Sequence, residues 1–341
     1  MVEKLFLRGA GWNLLNANDE TPACVLQRRG LTRTKLWDAM VDAGVRAEIL
    51  LRKLNDPNIE FLDSDGLESE PESEPEAEDD VEIEVEEVKV DDSQEPELEN
   101  TAQPNSNLIE EDPSSMPEVY LKTKLEYKDG ALVTDRGDGV MMDWENGLMA
   151  AGCDSLFKGS NPSKTVLNIG FGMGIIDTMI QERSPANHYI CEAHPDVLAK
   201  LKQDGWYSKP GVHILEGRWQ DTLPELLSKN VFFDGIYYDT YSEHYEDMLE
   251  LFDLVVGLLT EDGVFSFFNG LGADRLVVYE VYRKLVEIDL ANYGLELTYT
   301  EINAPTGTLE EKDETDETVW NGIKRAYWRC PVYYHPEARF K

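Results

Sequence analysis

Apolar and polar positions beyond Pro117 alternate between two periods. Short apolar runs at Thr165 to Ile169, Tyr189 to Glu192, Val212 to Leu215, Gly235 to Asp239 and Val264 to Asn269 read as strands. The stretches between them, such as Pro195 to Gly205 and Tyr245 to Leu259, carry apolar residues at helical spacing. Strands that alternate with helices predict an α/β fold, with a mainly parallel sheet covered on both faces. After a helix over Arg275 to Leu290, two more strands are expected at Leu295 to Ile302 and Ala326 to Tyr334, joined across the acidic loop Leu309 to Thr318.

That pattern is absent from Glu60 to Asp112, where 23 Asp and Glu stand against the single Lys89 and aromatic residues are almost missing. Such a stretch cannot bury enough apolar surface to offset the entropy of ordering, so a disordered acidic linker is expected over residues 59–116. The whole chain has 341 residues and a net charge of −37, of which the linker carries most. A surface of that sign repels nucleic acid and anionic membranes and favours a basic protein partner, although solubility alone would also account for it. Cys24, Cys153, Cys191 and Cys330 lie far apart without metal-ligand spacing, so free thiols, a reducing compartment and no bound metal are expected. With no signal-peptide core and no apolar run of membrane-spanning length, the reading is a soluble protein of the cytoplasm, with the nucleus a second location.

The chemistry is concentrated at the strand ends. Val166 to Ile169 runs into Gly170-Phe171-Gly172-Met173-Gly174 and then a helical pattern opening with Ile175 and Ile176. A glycine turn between strand and helix lets backbone amides approach a cofactor, although such turns also serve as plain links. The next strand ends in Glu192, about 20 residues on, where a carboxylate can bind a ribose diol. That spacing suits NAD and S-adenosylmethionine alike.

Five segments in register carry a resemblance: Met141-Met-Asp-Trp-Glu145, VLNIGFGMGI, EAHP, GRWQDT and YYDTY. In this order they resemble guanidinoacetate methyltransferase, and more closely the fungal arginine N-delta-methyltransferases, the type IV protein arginine methyltransferases. The likeness covers roughly Pro117 to Lys341 and implies a class I, Rossmann-like methyltransferase sheet over residues 117–341 with S-adenosylmethionine as cofactor. It further implies that the cofactor is bordered by Tyr120, Met141, Met149, the glycine turn from Gly170 to Ile176, Glu192, Ala193, His194, Pro195, Gly217, Arg218, Trp219, Gln220 and Asp239. Residues 18–48 separately resemble an ankyrin repeat, with part of another before it. One and a half repeats cannot bury a core alone, so residues 1–58 are expected to be a small helical appendage that packs on the main domain or binds a partner.

An arginine guanidinium is protonated and delocalised, and its nitrogens are poor nucleophiles. Carboxylates set against it fix its planar fork and stabilise positive charge while a proton leaves. By the resemblance Glu145 and Asp239 take that role, with Tyr241 orienting the arginine. From the residues alone Glu145 also fits a surface acid on an amphipathic helix, and Asp239 a turn cap. The implied reaction is methylation of the delta nitrogen of a protein arginine, on a large-subunit ribosomal protein of the L12 type. A small-molecule guanidino methyltransferase, or an inactive fold that serves as a binding protein, are the alternatives.

Overall fold

A computed structural model describes residues 2–18, 20–55, 112–305, 307–309 and 318–341. The linker expected between residues 59 and 116 and the acidic loop after Leu309 fall almost wholly outside the described residues.

The described chain opens with α1 (Val2–Leu7), α2 (Pro22–Arg28) and α3 (Lys35–Leu54). Thr21 caps α2, its hydroxyl accepting from Cys24 N–H at 3.2 Å, with Pro22 next at a first-turn position where its missing N–H costs nothing. After α4 (Pro117–Tyr120) comes a small antiparallel sheet, β1 (Leu125–Lys128), β2 (Ala131–Thr134) and β3 (Gly139–Met142), which the apolar pattern did not reveal. A 3-10 turn, Asp143–Glu145, leads into α5 (Asn146–Leu156).

The main sheet then alternates as expected: β4 (Thr165–Ile169), α6 (Ile175–Glu182), β5 (Asn187–Glu192), α7 (Pro195–Gln203), β6 (Val212–Glu216), α8 (Trp219–Ser228), β7 (Phe233–Tyr238), α9 (Tyr245–Leu258), β8 (Leu259–Phe267) and α10 (Leu276–Asn292). It closes with β9 (Leu295–Asn303) and β10 (Val332–Phe340). The strand order is β6-β5-β4-β7-β8-β10-β9; β4 to β8 pair in parallel, and β10 lies antiparallel between β8 and β9. This is the class I methyltransferase arrangement. The order reverses between β4 and β7, and the crevice beyond the carboxyl ends of those two strands is where an open α/β sheet binds its ligand.

The last strand corrects the sequence reading, which placed it at Ala326 to Tyr334. A proline inside a run argues against an interior strand, so Pro336 marked an apparent end. In the structure Pro336 is paired opposite Tyr299. Beside it the ladder to β8 is reduced to the Ala338–Phe265 pair, and Ser266 Oγ donates to Pro336 O at 2.7 Å. Residues 326–330 are thereby free to fold elsewhere.

Three apolar clusters hold the layers. One face of the sheet is covered by α8, α9 and α10, with Leu223, Leu251, Phe252, Val255 and Leu285 buried. On the other face α5, α6 and α7 bury Met149, Cys153, Ile176, Ile180 and Leu201. The third gathers Ala131, Val133, Met142, Trp320, Trp328 and Tyr333 between the small sheet and the segment before β10. The N-terminal helices belong to the first cluster: Trp12, Trp37, Met40 and Val41 pack with Val277 and Val281 of α10. Their contact is close, because a Cβ on Gly44 would lie 2.5 Å from Val281 Cγ2, and Lys284 Nζ meets Asp42 at 2.9 Å. An ankyrin fold for these helices stays an expectation. Among the described residues all four cysteines are free thiols, and no helix is long and apolar enough to cross a membrane.

Candidate active site

The turn after β4 forms the floor of the site. Gly170 has φ 92°, and a Cβ on it would fall 1.9 Å from the carbonyl oxygen of Asp239, so only glycine lets the chains leaving β4 and β7 run this close. Glu192, at the end of β5, ties the turn down: one carboxylate oxygen accepts from Phe171 N–H at 2.9 Å, the other from His194 N–H at 2.6 Å. Burial raises the Glu192 carboxyl above its ordinary range, while these amide donors pull it back. Beyond it lies a cleft lined by Tyr120, Met141, Gly172, Arg218 and Trp219 at the carboxyl ends of β4 and β5. Backbone approach at Gly170 and Gly172, a carboxylate at the end of β5 and the thioether of Met141 in the wall together suit a nucleoside sulfonium.

A second, wider cleft adjoins the first. The two share Val140, Asp239, Thr240, Tyr241 and Glu243 as a common wall. Asp239 follows β7 directly, its N–H donating to Ile169 O at 2.9 Å. Its Oδ2 is shielded from solvent and has no hydrogen-bond partner among the described residues. Glu145 borders the second cleft from the turn after β3 and is 3% exposed. Its Oε1 accepts from Met142 N–H at 3.2 Å and from the Tyr327 hydroxyl. Burial, and then the neighbouring Asp239, push the Glu145 carboxyl far above its usual range; burial, and then Asp177, raise Asp239. Among the described residues no cation pairs with either acid, and a planar guanidinium would supply one.

Of the residues singled out from sequence, Tyr120, Met141, Gly170, Gly172, Glu192, Ala193, Gly217, Arg218, Trp219, Asp239 and Tyr241 line the first cleft, and Glu145, Asp239 and Tyr241 the second. Others stand behind the wall. Met149 is fully buried against Tyr237, Phe171 packs on Trp206 at 5.2 Å, and Ile176 belongs to the core under the sheet. Met173 donates its N–H to Met141 Sδ at 3.2 Å, while Gly174 and Ile175 open α6. His194 caps α7 ahead of Pro195, with Nε2 against Tyr120 O at 3.1 Å. Gln220 reaches the rim, donating to Glu243 at 3.2 Å. These side chains stand beside or behind the residues that line the cleft, several of them on α5, α6 and the start of α7.

Several cleft residues went unnoticed in the sequence. Glu243 accepts from Trp219 Nε1, Gln220 Nε2, the Tyr238 hydroxyl and Thr240 Oγ1, and so braces the common wall. Glu118, two residues before Tyr120, reaches Arg218 of the first cleft at 3.0 Å. Tyr327 comes from the stretch misread as a strand. Only Glu243, two residues beyond YYDTY, stood near a motif.

Residues 120–284 match the family described as guanidinoacetate N-methyltransferase. Over the whole chain, protein arginine N-methyltransferase 2 of Debaryomyces hansenii is 58% identical, with 81% of its own length covered. The protein of the same name from Saccharomyces cerevisiae is 51% identical over the whole chain and 77% of its length, and that from Aspergillus oryzae 44% identical over 99% and 77%. Among solved structures, a Streptomyces achromogenes O-methyltransferase has a TM-score of 0.39 and 16% identity, covering 59% of this chain and 81% of that one. At such identities across its full length, the chain belongs to the protein arginine N-methyltransferase 2 family.

Proposed function

We propose that the chain methylates the delta nitrogen of an arginine in a protein, and that the substrate is a large-subunit ribosomal protein of the L12 type. The observation that carries this reading is the pair of acids, buried Glu145 and Asp239 with its unpartnered Oδ2, on one cleft whose wall is shared with the proposed cofactor cleft. S-adenosylmethionine, when bound, supplies an electrophilic methyl on a sulfonium and becomes S-adenosylhomocysteine. Gly170 and Gly172 would admit it along the backbone and Glu192 would take the ribose hydroxyls, with Met141 and Trp219 in the lining of the same cleft.

The residues of the second cleft act on the arginine. Glu145 and Asp239 hold the guanidinium as a fork and localise its charge, which raises the electron density on the nitrogen that faces the methyl group. Asp239 Oδ2 is the acceptor best placed for the departing proton, since nothing else occupies it. Tyr241, its ring 4.9 Å from that of Tyr120, stacks beside the arginine stem and excludes water. The acidic balance of the chain, −37 overall and most of it on the linker, favours a basic protein partner.

The test is a reaction with labelled methyl donor, offered an L12-type ribosomal protein and, separately, guanidinoacetate. Mass-spectrometric fragmentation should place the label on the delta nitrogen of one arginine. Label on a terminal guanidino nitrogen would overturn the position, and label on guanidinoacetate alone would overturn the protein substrate.

A further inference from the structure

The segment between residue 318 and β10 is not part of the methyltransferase sheet, yet it delivers a side chain to the second cleft. It is pinned at two places: Lys324 N–H donates to Gly137 O at 2.7 Å on the β2–β3 turn, and Arg329 N–H donates to Ala273 O at 2.7 Å beyond β8. Between these anchors the Tyr327 ring lies against Trp320, 4.9 Å between centroids, and against Trp144 at 5.7 Å. It also covers β3 so closely that a Cβ on Gly139 would come 3.1 Å from Tyr327 Cε1. A ring gripped on three sides has little freedom of aim, and its hydroxyl points at Glu145 Oε1.

We propose that Tyr327 is a positioning residue for the arginine-methylation reaction. Its hydroxyl occupies Oε1 of Glu145 together with Met142 N–H, fixes the carboxylate as an anion in one orientation, and leaves Oε2 to engage the guanidinium. The proposal rests on the reading of Glu145 given above. The other charged or titratable side chains around the cleft include Asp138, Asp239, Glu243, His244, Asp274 and Arg325. Among the described residues none of these six donates a hydrogen bond to Glu145, so Tyr327 is the side chain whose loss acts on that carboxylate directly. Removing a donor from a carboxylate favours its protonated form, and the acidic limb of the rate profile must then move to higher pH.

The experiment compares wild type, Tyr327→Phe, Glu145→Gln and the double variant on an L12-type ribosomal protein. Tyr327→Phe keeps the ring packing, and cofactor affinity by calorimetry should stay within about twofold. Turnover should fall about tenfold or more, and the acidic limb of kcat/KM should move to higher pH by about one pH unit. Added to Glu145→Gln, the tyrosine change should cost less than about twofold more, because it acts through a group already neutralised. Tyr327→Phe at the wild-type rate and pH profile would overturn the proposal while leaving the role of Glu145 intact. So would a loss that includes cofactor binding, or one that multiplies with Glu145→Gln, since either marks a general structural part. If Glu145→Gln itself turns over normally, the assignment of Glu145 fails first and the proposal with it.

Discussion

The pairing of Glu145 with Asp239 works against the fold as it serves the site, and the sign of that conflict can be measured. Both carboxyls titrate above their ordinary range, from burial first and then from a neighbouring acid, Asp239 for Glu145 and Asp177 for Asp239. A carboxyl raised in the folded state lends its stability below the unfolded pKa and loses it as pH climbs through the folded value. The amides do not titrate, so Glu145→Gln and Asp239→Asn should each melt a few degrees above wild type near about pH 8 and converge with it near about pH 4. Each tenfold difference in proton affinity between the folded and unfolded carboxyl is worth about 1.4 kcal/mol of that gap. Each variant should also lose about a hundredfold or more in turnover. Melting curves that coincide across this range would show that the acids are not strained, and unchanged turnover would remove the residue from the mechanism. Glu192→Gln has a different signature. It keeps the shape but forfeits charge-assisted hydrogen bonds to the ribose and to the glycine turn, so calorimetry should find the methyl donor bound about 10- to 100-fold more weakly. Wild-type affinity would refute that role.

Among the elements, α3 and α10 meet at a contact sensitive to size. Gly44 meets Val281 with no room for a Cβ, and the surrounding Trp12, Trp37, Met40 and Val41 are buried only while the helices touch. Each such side chain is worth about 1.5–3 kcal/mol in place, so Gly44→Val should lower the melting temperature by several degrees while cofactor binding to the remaining fold persists. An unchanged melting curve would mean that the helix pair does not stabilise the sheet. The alternation of β4 to α10 was legible because each element has a single period and lies next to a glycine or acidic terminus. The chemistry at the ends of β4, β5 and β7 was legible for the same reason, since Gly170 and Asp239 follow their strands directly and Glu192 ends its own. The small sheet β1 to β3 was not, because its four-residue strands are too short to show a period. Pro336 hid β10, and with it the irregular segment that brings Tyr327 to a partner 182 residues away in sequence, a contact that no local pattern records.

At the scale of the whole molecule, Asp239 lies in the wall between two clefts, and on the proposed reading it answers to two ligands. The methyl donor and the arginine are both cations, and each, on entering, helps displace the proton that burial favours on this carboxyl. Whichever binds first therefore prepares the site for the other. Linkage requires the benefit to be equal in both directions. It should grow as the pH is lowered and vanish in Asp239→Asn, and titrations of each ligand in the presence of the other would expose any inequality. The reaction then breaks the symmetry. The spent thioether carries one positive charge fewer than the donor, and on the proposed reading Asp239 ends the step holding the arginine's proton, so the used cofactor has lost both its own charge and the anion that drew it.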